Sequence, residues 1–127
     1  MIVGIGVDLV EVGRVEAMLT EHGDRFLSRV FTVRERSLGR ARGATAGTFF
    51  AGRWAAKEAV AKALGCGFGP RCGWQEVEIA ADAAGRPVVE LQGAARATAA
   101  ELGVRRLQVS LSHERHYATA MVVAEGG

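Results

Sequence analysis

Three charged residues, Lys57, Glu58 and Lys62, lie close together in a stretch of sequence that favours a helix. Glu58 and Lys62 are four residues apart and share a helix face, where an exposed ion pair contributes about 0.3–0.5 kcal/mol. Lys57 lies about 100° around the helix from Glu58, and Arg53, five residues before Glu58, also faces elsewhere. Cations on several sides of one carboxylate fit a metal–phosphate complex, because carboxylate oxygens hold Mg²⁺ and cations contact phosphate oxygens.

Asp8 is the carboxylate at the end of an apolar, β-branched stretch, residues 2–9, that predicts a buried strand. Gly4 and Gly6 within this strand allow another segment to approach it closely. Taken alone, an Asp at a strand end is most simply explained as the cap of the next helix.

His113 ends a predicted strand along which Ser110 and Ser112 alternate. It could donate a hydrogen bond to a phosphate or act as an acid or base, or it could be a surface histidine in a turn. The chain has no glycine-rich dinucleotide motif, no P-loop and no nucleophile elbow. A Rossmann site, a P-loop nucleotide site and a Ser/His/Asp triad are therefore not indicated.

Composition excludes several classes of protein. The 127 residues fit one compact domain, and the apolar fraction of 49% is too high for a disordered chain. The 16 basic and 14 acidic residues give a net charge of +2, which argues against non-specific nucleic-acid binding as the main function. Fourteen of the 16 basic residues are arginine, so the two lysines of one helix stand out.

Neither membrane insertion nor secretion is expected. Met1–Val7 and Ala118–Ala124, which contains one threonine, are apolar stretches of seven residues each, whereas a bilayer needs about 20. The first run has no charged leader and is interrupted by glycines, so we expect no signal peptide. Cys66 and Cys72 are too few for a disulfide-stapled domain or a zinc site, and we expect free thiols in a reducing cytoplasm.

The elements that position these residues are predicted in the order β-α-α-α-α-β-β-α-β-β. Thr32 and Glu35 form a capping box that opens the third helix, and the Arg/Gly/Ala-rich residues 39–47 are expected to be a loop. Tight turns join neighbouring strands, so the expected class is α+β, with a mostly antiparallel sheet, one long helix and several short ones packed to one side. The predicted strands are 2–9, 76–81, 87–91, 107–112 and 117–125, and the main helices are 12–19, 25–30, 48–64 and 94–102.

Four segments, in this order and spacing, carry a family resemblance: GIGVDLVE at 4–11, FTxxE at 31–35, AGRWAAKEAVAKALG at 51–65 and VSLSH at 109–113. They resemble the holo-acyl-carrier-protein synthases, the short, single-lobe type of 4'-phosphopantetheinyl transferase, over nearly the whole chain. The first and third segments are specific when found together, whereas the last alone is weak. Gly85-Arg86-Pro87 also stands where the family has Gly-Lys/Arg-Pro in a hairpin turn.

The resemblance implies a single transferase domain over residues 1–127. The family transfers the phosphopantetheine arm of coenzyme A to a serine of apo-acyl carrier protein, releases adenosine 3',5'-bisphosphate and serves fatty acid biosynthesis. Mg²⁺ is the implied cofactor and coenzyme A the co-substrate. The ion would bridge pyrophosphate oxygens and neutralise charge that builds on the leaving group.

The resemblance also implies roles for particular residues. Asp8 and Glu58 are the implied metal ligands, Glu58 is the candidate to take the serine proton, directly or through a water, and Lys62 would steady the phosphate. The implied contacts to the nucleotide end of coenzyme A are Arg53, Gly85, Arg86, Pro87, Ser112 and His113, with Arg40 and Arg42 as further candidates. Lys57 could serve the nucleotide or only the helix.

Partners follow from the same resemblance. The acidic carrier protein would meet Arg14, Arg25 and Arg29, with Met18 and Phe26 interleaved, just after the first strand; without the family, these three arginines would be interpreted as a solvated helix face. A homotrimer is implied, with each active site between neighbouring chains, and no nucleic-acid or membrane partner is expected.

Two other functions remain open from the sequence. A non-catalytic module that docks acidic carrier proteins would use Arg14 and Arg25 without needing Asp8 or Lys62. A metal-dependent nuclease could use the same carboxylates, but the low net charge and the absence of a stacking platform disfavour it.

Overall fold

The computed structural model describes all 127 residues and has the expected α+β organisation. None of its helices combines the length and the hydropathy that crossing a membrane requires. The strands are β1 (Ile2–Glu11), β2 (Val77–Ala81), β3 (Pro87–Leu91), β4 (Val104–His113) and β5 (Tyr117–Gly126). The helices are α1 (Val12–His22), α2 (Asp24–Val30), α3 (Val33–Arg40), α4 (Ala46–Ala63) and α5 (Gly93–Glu101).

The strands form two antiparallel sheets rather than one. β1, β5 and β4 make a three-stranded sheet in that order, and β2 and β3 make a separate hairpin. Along β5, every second side chain faces α4 and is buried, as expected for a sheet with one covered face. The buried residues of this strand are Ala118, Ala120, Val122 and Ala124.

β1 lies directly on α4 because two of its residues have no side chain. A Cβ atom at Gly4 would overlap the carbonyl oxygen of Ala63, and one at Gly6 would overlap the carbonyl oxygen of Ala59. The backbones of strand and helix are therefore in contact, as the spacing of the glycines predicts. This contact places Asp8, which follows Gly6 by two residues, against the same helix.

Substitution of Gly6 by alanine is expected to destabilise the fold by about 3 kcal/mol, because the added methyl meets backbone that cannot move aside. Gly13→Ala is the matched control, since a Cβ at Gly13 has no atom within 4 Å and a helical alanine gains roughly 0.5–1 kcal/mol over glycine. Chemical denaturation measures both. Equal stability of the two variants would contradict the close approach of β1 to α4.

The predicted loop over residues 39–47 is wrong in extent. α3 continues to Arg40, a single 3₁₀ turn covers Gly43–Thr45, and α4 begins at Ala46. Gly39 misled the prediction, because its glycine serves packing rather than a turn. A Cβ at this position would overlap the ring of Phe50, so the missing side chain lets α3 pack against α4.

A fully buried ion pair joins α3 to α4. Lys57 Nζ lies 2.8 Å from Glu35 Oε1, and neither side chain has exposed surface. Lys57 also donates to the carbonyl oxygens of Trp74, at 2.9 Å, and Val77. All three ammonium protons therefore have acceptors, and Lys57 belongs to the core rather than to a nucleotide site.

Glu35 forms the predicted capping box with Thr32 and has a second role. Its carboxylate accepts the backbone N–H of Thr32 at 2.8 Å and that of Ile79, in β2, at 2.7 Å. Burial lowers the pKa of Lys57, and the adjacent Glu35 carboxylate opposes this shift. One carboxylate thus ties the start of α3 to α4 and to the smaller sheet.

Candidate functional site

Asp8, Glu58 and Lys62 come together where β1 crosses α4. Lys62 Nζ donates to Asp8 Oδ1 at 3.1 Å and to the carbonyl oxygen of Val7 at 2.9 Å. Asp8 does not cap the following helix, because the N-cap residue of α1 is Glu11. The Lys62 ammonium therefore bonds to a carboxylate on β1, a contact that spacing along the helix could not predict. Both side chains remain partly accessible to solvent.

The second carboxylate, Glu58, experiences the negative charge of the first. Burial raises the pKa of Glu58, the Asp8 carboxylate raises it further, and the Lys62 ammonium lowers it. Two carboxylates are thus held near one cation. A further cation between them would relieve the repulsion of their charges, an arrangement that suits a metal ion.

The donor set fits Mg²⁺. A small cavity of about 230 Å³ adjoins the two carboxylates and is also lined by Arg14, Met18 and Trp54. Nowhere in the chain do three or more His, Cys, Asp or Glu side chains converge as candidate metal ligands. Mg²⁺ is commonly held by one or two carboxylates, with substrate phosphates and waters in its other positions.

A second, larger cavity of about 980 Å³ lies on another side of α4. It brings together all six residues that the family resemblance implies for the nucleotide: Arg53, Gly85, Arg86, Pro87, Ser112 and His113. Arg42 lines it too, whereas Arg40 points away and pairs with Asp24 at 2.8 Å. The expectation that Arg40 contributes is therefore wrong. The lining residues that sequence reasoning missed include Thr45, Thr48, Phe49 and Arg115.

Two turns hold the walls of this cavity. In the β2–β3 turn, the Asp82 carboxylate accepts the backbone N–H groups of Ala84 and Arg86, each at 2.9 Å, and Gly85 has a φ of 85° that favours glycine. In the β4–β5 turn, Glu114 Oε1 accepts the N–H of His116 at 2.7 Å and that of Tyr117 at 3.0 Å. The Glu114 carboxylate is thus engaged by its own turn.

The two cavities are on opposite sides of α4 and share no lining residue. Arg53 and Glu58 are five residues apart, which separates them by about 140° around the helix. Within one chain, the carboxylates and the nucleotide-sized cavity therefore face different directions.

An apolar groove of about 680 Å³ leads away from the small cavity and shares Met18 and Trp54 with it. The predicted partner residues Arg25 and Phe26 line this groove. Arg14 lies at its inner end, beside Asp8 and Glu58. The aromatic wall opposite, in which Phe68 stacks on Trp74 at 3.6 Å, was not predicted. The cationic side chains of Arg25 and Arg29 also line the groove, together with His22.

Comparison with known proteins gives the class to which this fold and site belong. Residues 4–122 match the family model of the 4'-phosphopantetheinyl transferase superfamily. The holo-[acyl-carrier-protein] synthases of Solidesulfovibrio magneticus and Desulforudis audaxviator are each 49% identical over 99% of this chain, covering 100% and 95% of those proteins. The chain therefore belongs to the 4'-phosphopantetheinyl transferase superfamily, in which its curated relatives are holo-[acyl-carrier-protein] synthases.

Solved structures confirm the fold. The holo-[acyl-carrier-protein] synthase of Neisseria meningitidis superposes with a TM-score of 0.89 at 34% identity, over 98% of this chain and 99% of that one. The synthase of Bacillus anthracis, solved in complex with CoA (3',5'-ADP), has a TM-score of 0.83 at 35% identity, over 100% and 99%. The resemblance inferred from four short segments is confirmed along the chain, and the protein is a transferase of this family.

Proposed function

We propose that this enzyme transfers the 4'-phosphopantetheine moiety of coenzyme A to a serine of apo-acyl carrier protein, giving holo-acyl carrier protein and adenosine 3',5'-bisphosphate. The observation that carries the proposal is the convergence of Asp8, Glu58 and Lys62 at the inner end of a cationic, apolar groove, in a chain of this family. The reaction brings a pyrophosphate and a serine of an acidic protein to one point, and this arrangement offers a place for each.

Asp8 and Glu58 are the residues that would hold Mg²⁺. Their oxygens are hard donors. Burial raises the pKa of Glu58 and the Asp8 carboxylate raises it further, and a divalent ion would relieve the repulsion between the two. When bound, the ion neutralises charge that builds on the leaving phosphate.

The chain's own groups account for the proton and the phosphate. The serine oxygen forms a bond to the phosphorus that bears the pantetheine arm, and the bond from that phosphorus to the oxygen of the leaving bisphosphate breaks. Glu58 accepts the serine proton, directly or through a water. The Lys62 ammonium, half exposed beside Asp8, steadies the transferring phosphate.

The cationic cavity beside β4 fits the nucleotide end of coenzyme A. Its lining has the guanidiniums of Arg42, Arg53, Arg86 and Arg115 but one carboxylate, Glu114, whose oxygen is taken up by its own turn. Such an excess of cations suits a ligand with several phosphates. Ser112 and His113 add further hydrogen-bonding groups at the same wall.

The groove along α1 and α2 suits the carrier protein. Arginine and histidine side chains at its rim would face an acidic partner, while Met18 and Phe26 would receive apolar side chains. Because Met18 and Trp54 connect the groove to the carboxylates, a partner seated there would present its serine to Glu58.

Charge reversal at Arg25 is expected to raise the KM for apo-acyl carrier protein by at least about tenfold and to leave the KM for coenzyme A unchanged. Arg25 lines the groove and takes no part in the cavity beside β4. Arg71→Glu is the control, because Arg71 is an exposed arginine outside both regions, paired with Glu101. Steady-state kinetics with each substrate varied in turn provides the measurement. Equal effects of the two variants on the carrier KM would contradict this docking face.

We further propose that the active unit is a homotrimer with each site between two chains. The outer face of the larger sheet is apolar and uncovered: Ile5, Val7 and Leu9 of β1 are each at least 60% exposed, and Met121 of β5 lies beside Val7. An open apolar face of this kind fits an interface with further copies. Within one chain, the cationic cavity beside β4 and the Asp8–Glu58 pair face different directions. In a trimer, the cavity beside β4 of a neighbouring chain could lie opposite the Asp8–Glu58 pair.

Ile5→Glu is expected to convert the trimer to monomers and to remove activity, because a charge would be buried at the centre of the interface. Val33→Glu is the control, since Val33 is exposed on α3, away from the sheet face. Sedimentation velocity and a transfer assay follow both variants. A wild-type protein that is monomeric and fully active would contradict the shared site.

The same function places the enzyme in fatty acid biosynthesis in the cytoplasm, a setting in which the two cysteines stay as the free thiols that the structure contains.

Release of adenosine 3',5'-bisphosphate from coenzyme A, followed by chromatography, tests the function: it is expected only when Mg²⁺ and apo-acyl carrier protein are both present. Release that is independent of the carrier would instead indicate hydrolysis of coenzyme A.

A further inference from the structure

Phe49 contacts two arginines of the cavity beside β4, namely Arg42, which precedes α4, and Arg53, which lies within it. The guanidinium carbon of Arg53 lies 4.3 Å from the centroid of the Phe49 ring, and that of Arg42 lies 4.8 Å from it. The ring is 7% exposed and meets Phe50 edge to face, with 5.5 Å between the two centroids. A ring fixed by the core therefore determines where two neighbouring cations stand.

Neither cation forms an ion pair with a carboxylate of the protein. Four arginines do so, namely Arg34, Arg40, Arg71 and Arg106, and Arg42 and Arg53 are among the ten that do not. The Nε of Arg53 is buried and has no hydrogen-bond partner. Burial lowers the pKa of Arg53, the charge of Arg42 lowers it further, and the charge of Glu35, which forms no ion pair with Arg53, opposes the shift. A buried unpaired donor beside a like charge is unfavourable unless an anion completes the arrangement.

A guanidinium that stacks on an aromatic ring can still bind an anion. A guanidinium that lies against a ring uses its flat face for the ring, and its N–H edge stays free to donate. Two such edges can bind one phosphate group by charge-assisted hydrogen bonds.

We propose that Phe49 is a positioning residue for coenzyme A, whose ring holds the guanidiniums of Arg42 and Arg53 so that both bind one phosphate group of the nucleotide. The inference rests on the proposed function, since it takes the nucleotide end of coenzyme A as the ligand of this cavity. Phe49 itself acts through the two arginines.

The test uses Phe49→Leu, which keeps an apolar side chain but removes the aromatic face, and Phe49→Tyr, which keeps that face. Phe49→Leu is expected to weaken binding of adenosine 3',5'-bisphosphate, measured by calorimetry, about tenfold. The KM for coenzyme A should rise by the same factor with kcat nearly unchanged, and Phe49→Tyr should restore both values. A general loss of structure would not give this selective pattern.

Arg42→Ala supplies a variant that leaves the core untouched, because Arg42 is exposed in the segment before α4. It should weaken binding of the bisphosphate in the same direction, and combining it with Phe49→Leu should add less than the sum of the two losses. Arg40→Ala, two residues earlier and paired with Asp24 outside the cavity, should bind as the wild type does.

The outcomes separate two failures. If the wild type transfers phosphopantetheine but Phe49→Leu binds the bisphosphate normally, or the effects of Arg42→Ala and Phe49→Leu are strictly additive, the positioning role is wrong. The positioning role is equally wrong if Phe49→Leu does not fold and Arg42→Ala binds normally. If the wild type neither binds the bisphosphate nor transfers, the proposed function fails first.

Discussion

Asp8→Ala and Glu58→Ala are each expected to lower transfer by at least about a thousandfold while leaving the fold intact. A divalent ion at developing phosphate charge supplies several kcal/mol of stabilisation, and either substitution removes one of its two protein ligands. Glu101→Ala is the control, because Glu101 is exposed at the end of α5 and lines neither the small cavity nor the larger one. Transfer to apo-acyl carrier protein at saturating Mg²⁺ is the measurement.

The same two substitutions should lower activity, whereas they should raise the stability of the folded protein. The folded-state pKa of Glu58 is raised by burial and then by Asp8, so the fold favours the protonated form. In metal-free protein, the stability contributed by this protonation is present at low pH and is lost as the pH rises through the raised value. Removing either carboxylate should flatten this dependence. Variants that are fully active, or that fail only because they unfold, would contradict the assignment of these residues.

Lys57→Met is expected to destabilise the protein by about 3–5 kcal/mol, because it leaves the Glu35 carboxylate buried without its cation. Lys62→Met is a closely matched control: the same substitution on the same helix, five residues later, at a half-exposed side chain. There we expect a stability change below about 1 kcal/mol but a large loss of transfer. Denaturant unfolding should therefore show the large loss of stability in Lys57→Met, and kinetics should show the large loss of transfer in Lys62→Met.

A double-mutant cycle identifies the cause of the Lys57 effect. In a Glu35→Gln background no carboxylate is left unpaired, so Lys57→Met should cost clearly less than it does in the wild type. Equal losses in the two backgrounds would show that Lys57 stabilises the fold through its bonds to the Trp74 and Val77 carbonyls and not through the ion pair.

Local signals predicted much of the fold. The capping box at Thr32 and Glu35, the glycines of β1 and the two hairpins follow from bonds or contacts between residues that are near in sequence, or from the absence of a side chain. The wrong prediction of a loop at Gly39 also came from a local signal. A glycine before an Arg-rich segment is typical of a loop, and only the ring of Phe50, from another helix, shows that it serves packing.

The site was harder to predict because its contacts join distant segments. Helix spacing placed Lys62 beside Glu58, but its hydrogen bonds go to β1, more than fifty residues away. The same spacing turned Lys57 away from Glu58 without revealing Glu35 on α3 as its partner. Arg40 and Arg42 have similar sequence surroundings, and only the fold directs one to Asp24 and the other to the nucleotide cavity.

The mass of the carrier protein tests the central claim most directly. Apo-acyl carrier protein is incubated with this enzyme, coenzyme A and Mg²⁺, and its intact mass is measured, with a carrier whose acceptor serine is replaced by alanine as the control. We expect every wild-type carrier molecule to gain the mass of one phosphopantetheine, and the serine variant or a chelator to prevent the gain. A carrier that binds the protein yet keeps its original mass would contradict the transferase and would leave a docking module in its place.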